Sequence, residues 1–335
     1  YTNSLRDDHL NKLADNNIII YLSVGVFLVA VFLSFRFIPV IENISNHSLI
    51  LPNQDFWKLS PLLCNVINTV IILFCALLLQ RMNSIFALIR SRTLFPLLFF
   101  LLLEGSNPSL TSTLNLGNLL SFILILSLFT LFSSYQKEQT QRHAFGLSLY
   151  IGFGTLFWSP FIYLMPIFWI GMYQMRSLTG KTFVATLLGL ITVGWLILSA
   201  HWIFGITLYS ENLFVPLSEN HIYELQCLNY TQLLYIFPTI VLGIISIINN
   251  LYNNFNDKTR TRAYNGFINI LLIVAIIAII IHFNESNIYL PVLNTCIALQ
   301  AAHFFTNTKN KPTIVLFYII LTLYFLLFLW NLLQD

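Results

Sequence analysis

Charged side chains are scarce. They make up 9% of this 335-residue sequence, against 57% hydrophobic residues, whereas soluble domains carry roughly 25% charge. An ordinary soluble fold is therefore excluded. No nucleic-acid partner is expected, and the formal net charge of +3 does not point to one, because it is spread over short runs and forms no single patch. Cysteine is rare, with only Cys64, Cys75, Cys227 and Cys296. No Cys-X-X-Cys metal spacing occurs, all but Cys227 fall in apolar runs, and no disulfide is expected. Missing too is an acidic residue in the middle of any apolar run. The nearest is Glu104, placed at an outer end, and this lack argues against a proton-coupled pump, which normally needs an acidic relay.

Long apolar runs dominate what remains. They lie near residues 18–41, 61–80, 93–104, 116–135, 144–158, 161–175, 182–205, 231–248, 265–283, 288–305 and 313–332, each limited by the roughly 30 Å of hydrocarbon that a helix must cross. The expected fold class is all-α: a polytopic transmembrane protein of about eleven (ten or eleven) spans. The first run is too long for a signal-peptide core and lacks a small-residue cleavage site, so it is expected to be retained. Ahead of it, Ser4 and Asp7 are spaced as a capping box, with Leu5, Leu10 and Leu13 giving a short surface helix.

The loops between runs alternate in charge. Basic clusters at Arg81–Arg92, Lys137–Arg142, Arg176–Lys181, Lys258–Arg262 and Lys309–Lys311 are separated by loops with few basic residues. Cationic loops resist translocation, so the basic loops and the N-terminus are expected in the cytoplasm of a bacterial cell, with the protein in the inner membrane. Of the sixteen Lys and Arg, only Lys58 and the span-end Arg36 then fall outside. Glu42, Asp55, Glu104, Glu211, Glu219, Glu224, Glu285 and Asp335 also fall there. The chain reads as one integral membrane domain. It has a polar segment at 1–17, a seven-span core at 18–205, the longest outer loop at 206–230 and four further spans at 231–335.

Some runs are too short for a straight span, which needs about 20 residues. The pair 144–158 and 161–175, joined by Ser159-Pro160, is a tight hairpin, a re-entrant element or one kinked helix. Charge favours the hairpin, since a single helix would put every later basic loop outside. Gly146, Gly152, Gly154, Pro160, Pro166 and Gly171 concentrate there, where small residues permit close helix approach.

Two outer loops hold candidate chemistry. The first carries Glu42, His47, Asp55, Trp57 and Lys58, where a carboxylate near the interface would act as a base or hold a divalent cation over phosphate. The second carries Glu211, Glu219, His221 and Glu224, with His221 and Glu224 on one face if the stretch is helical. Solvated loops are the plain alternative for both. Within the spans, Asn65, Asn68, His201, Asn294, Gln300 and His303 are costly to expose to hydrocarbon, so they are expected to face other helices.

The stretch from FALIRSRTLFPLLFFLLLEGSNPSL to AFGLSLYIGFGTLFWSPFIYLMPIFWIGMYQMRSLTGKTFVATLLGL, about residues 81–205, resembles an uncharacterised family of Bacteroidota inner-membrane proteins. That resemblance implies no activity. GFGTLFWSPFIYLMP is also similar to the hairpin signature in the membrane core of GT-C-class glycosyltransferases, although Phe157-Trp158-Ser159 stands where that signature has a Lys. This second resemblance implies a GT-C-like arrangement of the first seven spans and transfer from a polyprenyl-phosphate-linked sugar at the outer leaflet. Asp55 or Glu42 would then be catalytic, Lys58, Glu211, Glu219, His221 and Glu224 would bind substrate, and a divalent cation is a possible cofactor.

Two other classes compete with the enzyme. One is a non-enzymatic carrier or lipid scramblase, with a cavity lined by Asn65, Asn68, His201 and Asn294. The other is a structural subunit of an envelope complex, offering an exposed small-residue face to partner membrane proteins. Membrane lipids are partners in every case.

Overall fold

The computed structural model describes residues 17–37, 60–89, 93–137, 139–204, 230–253, 255, 257–307 and 311–334. Each of the expected apolar runs holds a helix, and no strand occurs among the described residues. The long helices are α1 (Asn17–Phe37), α2 (Pro61–Phe86), α5 (Leu116–Ser133), α8 (Gly180–Phe204), α9 (Tyr230–Asn253), α10 (Thr259–Ile281), α11 (Ser286–Asn307) and α12 (Lys311–Gln334). These 8 are long and apolar enough to cross a membrane, and the protein is a multi-pass membrane protein. The shorter helices are α3 (Phe95–Gly105, 11 residues), α6 (Gln141–Phe157, 17 residues) and α7 (Leu164–Gln174, 11 residues). With α4 (Pro108–Thr111) they complete the α-helices among the described residues. An 11-residue helix is only about 16 Å long, half a bilayer core. Of the ten or eleven spans expected, eight correspond to helices of spanning length among the described residues. The expected N-terminal surface helix lies outside the described residues.

The chain forms two compact units. Among the described residues, one contains 17–37, 60–118 and 230–334, and the other 119–204.

In the first unit α3 packs against α1, α2 and α11, and α11 against α9 and α10. The spanning window of α11 is 89% buried, against 28% for α12. α11 is thus the core helix, and α12 turns much of its apolar surface outward. Phe99 of α3 stacks on Phe305 of α11 with centroids 5.3 Å apart, and Phe317 of α12 meets both edge-on. The turn after α2 explains how the chain reverses. Ala87 takes a left-handed conformation (φ 50°) and its N–H donates to Asn83 O, while Ile89 N donates to Asn83 Oδ1 at 3.0 Å. Thr261 and Asn265 of α10 then donate to Ala87 O and Leu88 O, each at 3.2 Å. Two turns that carry basic residues thereby meet at one end of this unit.

At the opposite end, Asn115 Nδ2 donates to Asn287 O at the start of α11 (3.2 Å). Asn65 and Asn68, near the start of α2, donate to the carbonyls of Thr111, Ser112 and Leu110. α9 runs parallel to α11, since Tyr235 meets Asn294 near their starts and Asn250 meets Gln300 further on. α2, α9 and α11 accordingly all begin at one end.

In the second unit the chain turns back on itself, as a hairpin or a re-entrant element would and one kinked helix would not. Trp158 is extended (φ −152°, ψ 109°), a 3-10 turn covers Ser159–Tyr163, and α7 returns. Gln136 N donates to Met175 O at 3.2 Å and Thr140 Oγ1 to Ser177 O at 3.2 Å. The end of α7 thus lies beside the start of α6, which one kinked helix could not achieve. The hairpin closes because Gly154 faces the ring of Phe161 with no room for a Cβ. α8 fits against α6 where Gly152 meets Val193 and Gly189 meets Ser148. The glycines Gly152 and Gly154 are consumed inside this unit and do not form the exposed small-residue face expected of a structural subunit.

Candidate functional site

The candidate residues Glu42, Asp55, Lys58, Glu211, Glu219, His221 and Glu224 all lie outside the described residues. What the structure does place is the ionisable and amide chemistry buried in the first unit, and it falls into three groups.

The first is a helix break. α3 stops at Gly105, and the chain passes through Ser106 and Asn107 into the single turn of α4 before α5 begins. Irregular backbone at membrane depth is tolerated only where protein satisfies its polar groups. Here amides do so. Asn65 Nδ2 donates to Thr111 O (2.9 Å) and Ser112 O (3.1 Å), and Asn68 Nδ2 to Leu110 O (2.8 Å). Asn118 Nδ2 donates to Asn68 Oδ1 (2.9 Å) and Leu110 O (3.1 Å). Asn107 caps α4 by accepting from Ser109 N at 3.2 Å.

The second group sits on that break. Glu104, at the last turn of α3, is 0% exposed. Its Oε1 accepts from Asn294 Nδ2 at 3.1 Å. Asn294 Nδ2 also donates to the Tyr235 hydroxyl (3.2 Å), and that hydroxyl donates to Leu103 O at 2.7 Å. The Tyr235 ring meets Tyr324 edge-on at 6.0 Å, and Tyr324 shares a hydrogen bond with Thr239 at 3.1 Å. Glu104 Oε2 is buried and has no hydrogen-bond partner among the described residues. Asn294 lies about 12 Å along α11 from its start by helix rise. Glu104 is therefore enclosed by protein, so the described residues do include a buried acid.

The third group is at the other end. His303 Nε2 and Asp257 Oδ2 are 3.0 Å apart, with side chains 1% and 2% exposed. Asn250 links Gln300 and Asn269 (each 3.1 Å), and Gln300 Nε2 donates to Asn265 O at 3.0 Å.

Five of the span amides and histidines expected to face other helices do so: Asn65, Asn68, Asn294, Gln300 and His303 are buried. Asn65 and Asn68 serve the break, Asn294 serves Glu104, and His201 belongs to the second unit. Sequence reasoning missed Asp257, Tyr235, Tyr324, Asn115 and Asn118. Asp257 is adjacent to Lys258 and reads as loop charge, and a Tyr in an apolar run gives no signal of its own. The Asn pair just ahead of and inside the start of α5 was the available clue, since amides at a span start suggest carbonyls to satisfy.

A lateral groove of about 440 Å³ runs between α9 and α12, lined by Leu234, Ile319, Thr322, Leu323, Leu326, Leu327 and Trp330. No group of three His, Cys, Asp or Glu able to hold a metal occurs among the described residues.

Over residues 18–334 the chain matches the model of a family of unknown function, DUF6427, and it belongs to that family. No curated protein matches it.

Proposed function

We propose that the protein is a membrane carrier for a lipid-like substrate, built around the broken helix α3. The observation that carries this reading is the break itself, with the Glu104 carboxyl at the buried C-terminal end of a half-length helix. Discontinuous helices recur at the binding sites of carriers, because their free ends and unwound carbonyls present dipoles to a substrate or coupling ion. The apolar groove between α9 and α12 supports a substrate with a hydrocarbon chain.

Thiol accessibility tests the reading. Ser106→Cys and Thr111→Cys, in a background with the native cysteines replaced, put reporters at the break, where both residues are buried. A carrier opens this site to water, so a membrane-impermeant maleimide labels both from at least one face. Complete protection from both faces would refute it.

A second reading is glycosyl transfer from a polyprenyl-phosphate-linked sugar, with GT-C-like architecture. It is favoured by one observation: α2 and α9, which follow the acid-bearing segments 38–59 and 205–229, begin at the same end of the first unit. Asp55 or Glu42 would deprotonate an acceptor hydroxyl or hold a divalent cation over the phosphate, and Lys58, Glu211, Glu219, His221 and Glu224 would hold substrate. That end would face the periplasm, with the N-terminus and basic turns on the cytoplasmic side of a bacterial inner membrane. Unchanged envelope glycans in Asp55→Asn and Glu42→Gln strains would remove this reading.

A further inference from the structure

We propose that Glu104 is a proton-exchange site of the membrane-embedded unit, taking up and releasing one proton and not a metal cation. This deepens the carrier reading by naming its coupling ion and rests on the same helix break.

The surroundings of the Glu104 carboxyl decide what it can bind. Asn294 directs an N–H at Oε1, so that oxygen is occupied by a donor (3.1 Å). The neighbouring Leu103 carbonyl is occupied too, by the Tyr235 hydroxyl at 2.7 Å and the Ser106 hydroxyl at 2.9 Å. A hard cation needs about six oxygen ligands or more, and donors aimed at two of the nearest oxygens repel it. Glu104 Oε2 is fully buried and has no hydrogen-bond partner among the described residues. One oxygen suffices for a proton.

The groups packed around Glu104 leave it the ionisable centre of the site. α9 contributes Tyr235, with Tyr324 of α12 behind it. α11 contributes the neutral amide of Asn294, and its His303 lies at the other end beside Asp257. α1 contributes Phe27 against Gly105, while its Arg36 is exposed. α2 and α4 bring amides and carbonyls. Among the described residues no cationic side chain pairs with the carboxyl. Protonation therefore changes the charge at the end of α3 by a full unit. The amide hydrogen bond to α11 is the contact that responds, because a carboxylate accepts more strongly than a carboxylic acid.

Infrared spectroscopy of the full chain in lipid vesicles tests this directly. A protonated carboxyl in a dry site gives its own C=O stretching band. The wild type should show one that shifts in heavy water, disappears as pH is raised and is lost in Glu104→Gln. Asn294→Leu, which keeps the carboxyl, should move the titration midpoint while leaving the band present, so the result does not rest on one variant. A band that persists in Glu104→Gln, fails to exchange or does not titrate overturns the proposal. So does loss of the band on adding sodium at fixed pH, which would assign the site to a metal ion. The carrier reading fails separately: protected thiols at Ser106→Cys and Thr111→Cys, together with a titrating Glu104 band, would mean a proton site in a static protein.

Discussion

His303 Nε2 lies 3.0 Å from Asp257 Oδ2, so the core helix α11 is tied to the turn that joins α9 and α10. His303 Nδ1 faces Asn250 Nδ2 at 3.5 Å. An amide donor at Nδ1 favours the ring tautomer whose Nε2–H points at the carboxylate. The contact is one directed hydrogen bond between nearly inaccessible groups, and it fixes where the α9–α10 turn sits.

The two partners should respond differently to substitution. Asp257→Asn keeps an acceptor for the Nε2 proton and should lower stability by about 1 kcal/mol. His303→Leu leaves the buried carboxylate without that donor and should cost about 2–3 kcal/mol. Thermal unfolding of purified protein in detergent reads both. Equal losses would mean that the pair acts as an ion pair instead.

The amides of the helix break make a prediction that opposes hydropathy. By transfer scales Asn65→Leu and Asn68→Leu improve α2 as a membrane span. In the fold they remove the donors to Thr111, Ser112 and Leu110. Each should destabilise by about 1–3 kcal/mol. Asn68→Leu should be the worse, because Asn68 Oδ1 also accepts from Asn118 and Asn115. Detergent stability higher than wild type in either variant would show that the break needs no such support.

Why some of this was legible from sequence follows from the same residues. Apolar runs locate helices because hydrocarbon admits little else, and every expected run holds one. Charge favoured a turn back over one kinked helix and the glycines marked close helix approach, but the contact of Gly154 with Phe161 was not legible. Nor was the enclosure of Glu104. Glu104 follows an unbroken apolar run, and linear reading puts the end of a run at the membrane surface. Only the shortness of α3 and the bond to Asn294 reveal that this end is enclosed by protein. Hydropathy likewise assigned Asp257 to a polar turn, since nothing local shows that His303 folds over it.

The basic turn ahead of α6 should confer acid sensitivity. His143 sits outside the apolar stretch, and its pKa is lowered from 6.5 by burial first, then by Lys137 and Arg142. Lys137 Nζ is 3.4 Å from its ring. The unfolded chain therefore binds a proton that the folded chain resists. Stability is unaffected above about 6.5, falls as pH drops through that value, and levels off once the lowered folded pKa is passed. His143→Gln should show less acid-side loss than wild type in thermal unfolding across pH. An identical pH profile would place the sensitivity elsewhere.

Glycine substitutions in the second unit separate packing from helix propensity. Replacing Gly by Ala inside a helix ordinarily stabilises by about 0.5–1 kcal/mol, because the unfolded chain loses freedom. Gly194 of α8 has nothing within 4 Å of the Cβ it would acquire, so Gly194→Ala should show that gain. Gly154 faces the ring of Phe161, itself 3% exposed, and the aromatic ring cannot withdraw without opening the turn at Trp158. Gly152 would bring a Cβ to 2.8 Å from Val193 Cγ2, a contact that α6 and α8 relieve only by separating. Gly154→Ala and Gly152→Ala should therefore lose about 1–3 kcal/mol, as overpacked cores do. The helix-propensity gain is common to all three positions, so the difference from Gly194→Ala isolates the steric term. If Gly154→Ala matches Gly194→Ala in melting temperature, the hairpin does not close on Phe161, and the tight return from α6 to α7 has some other cause.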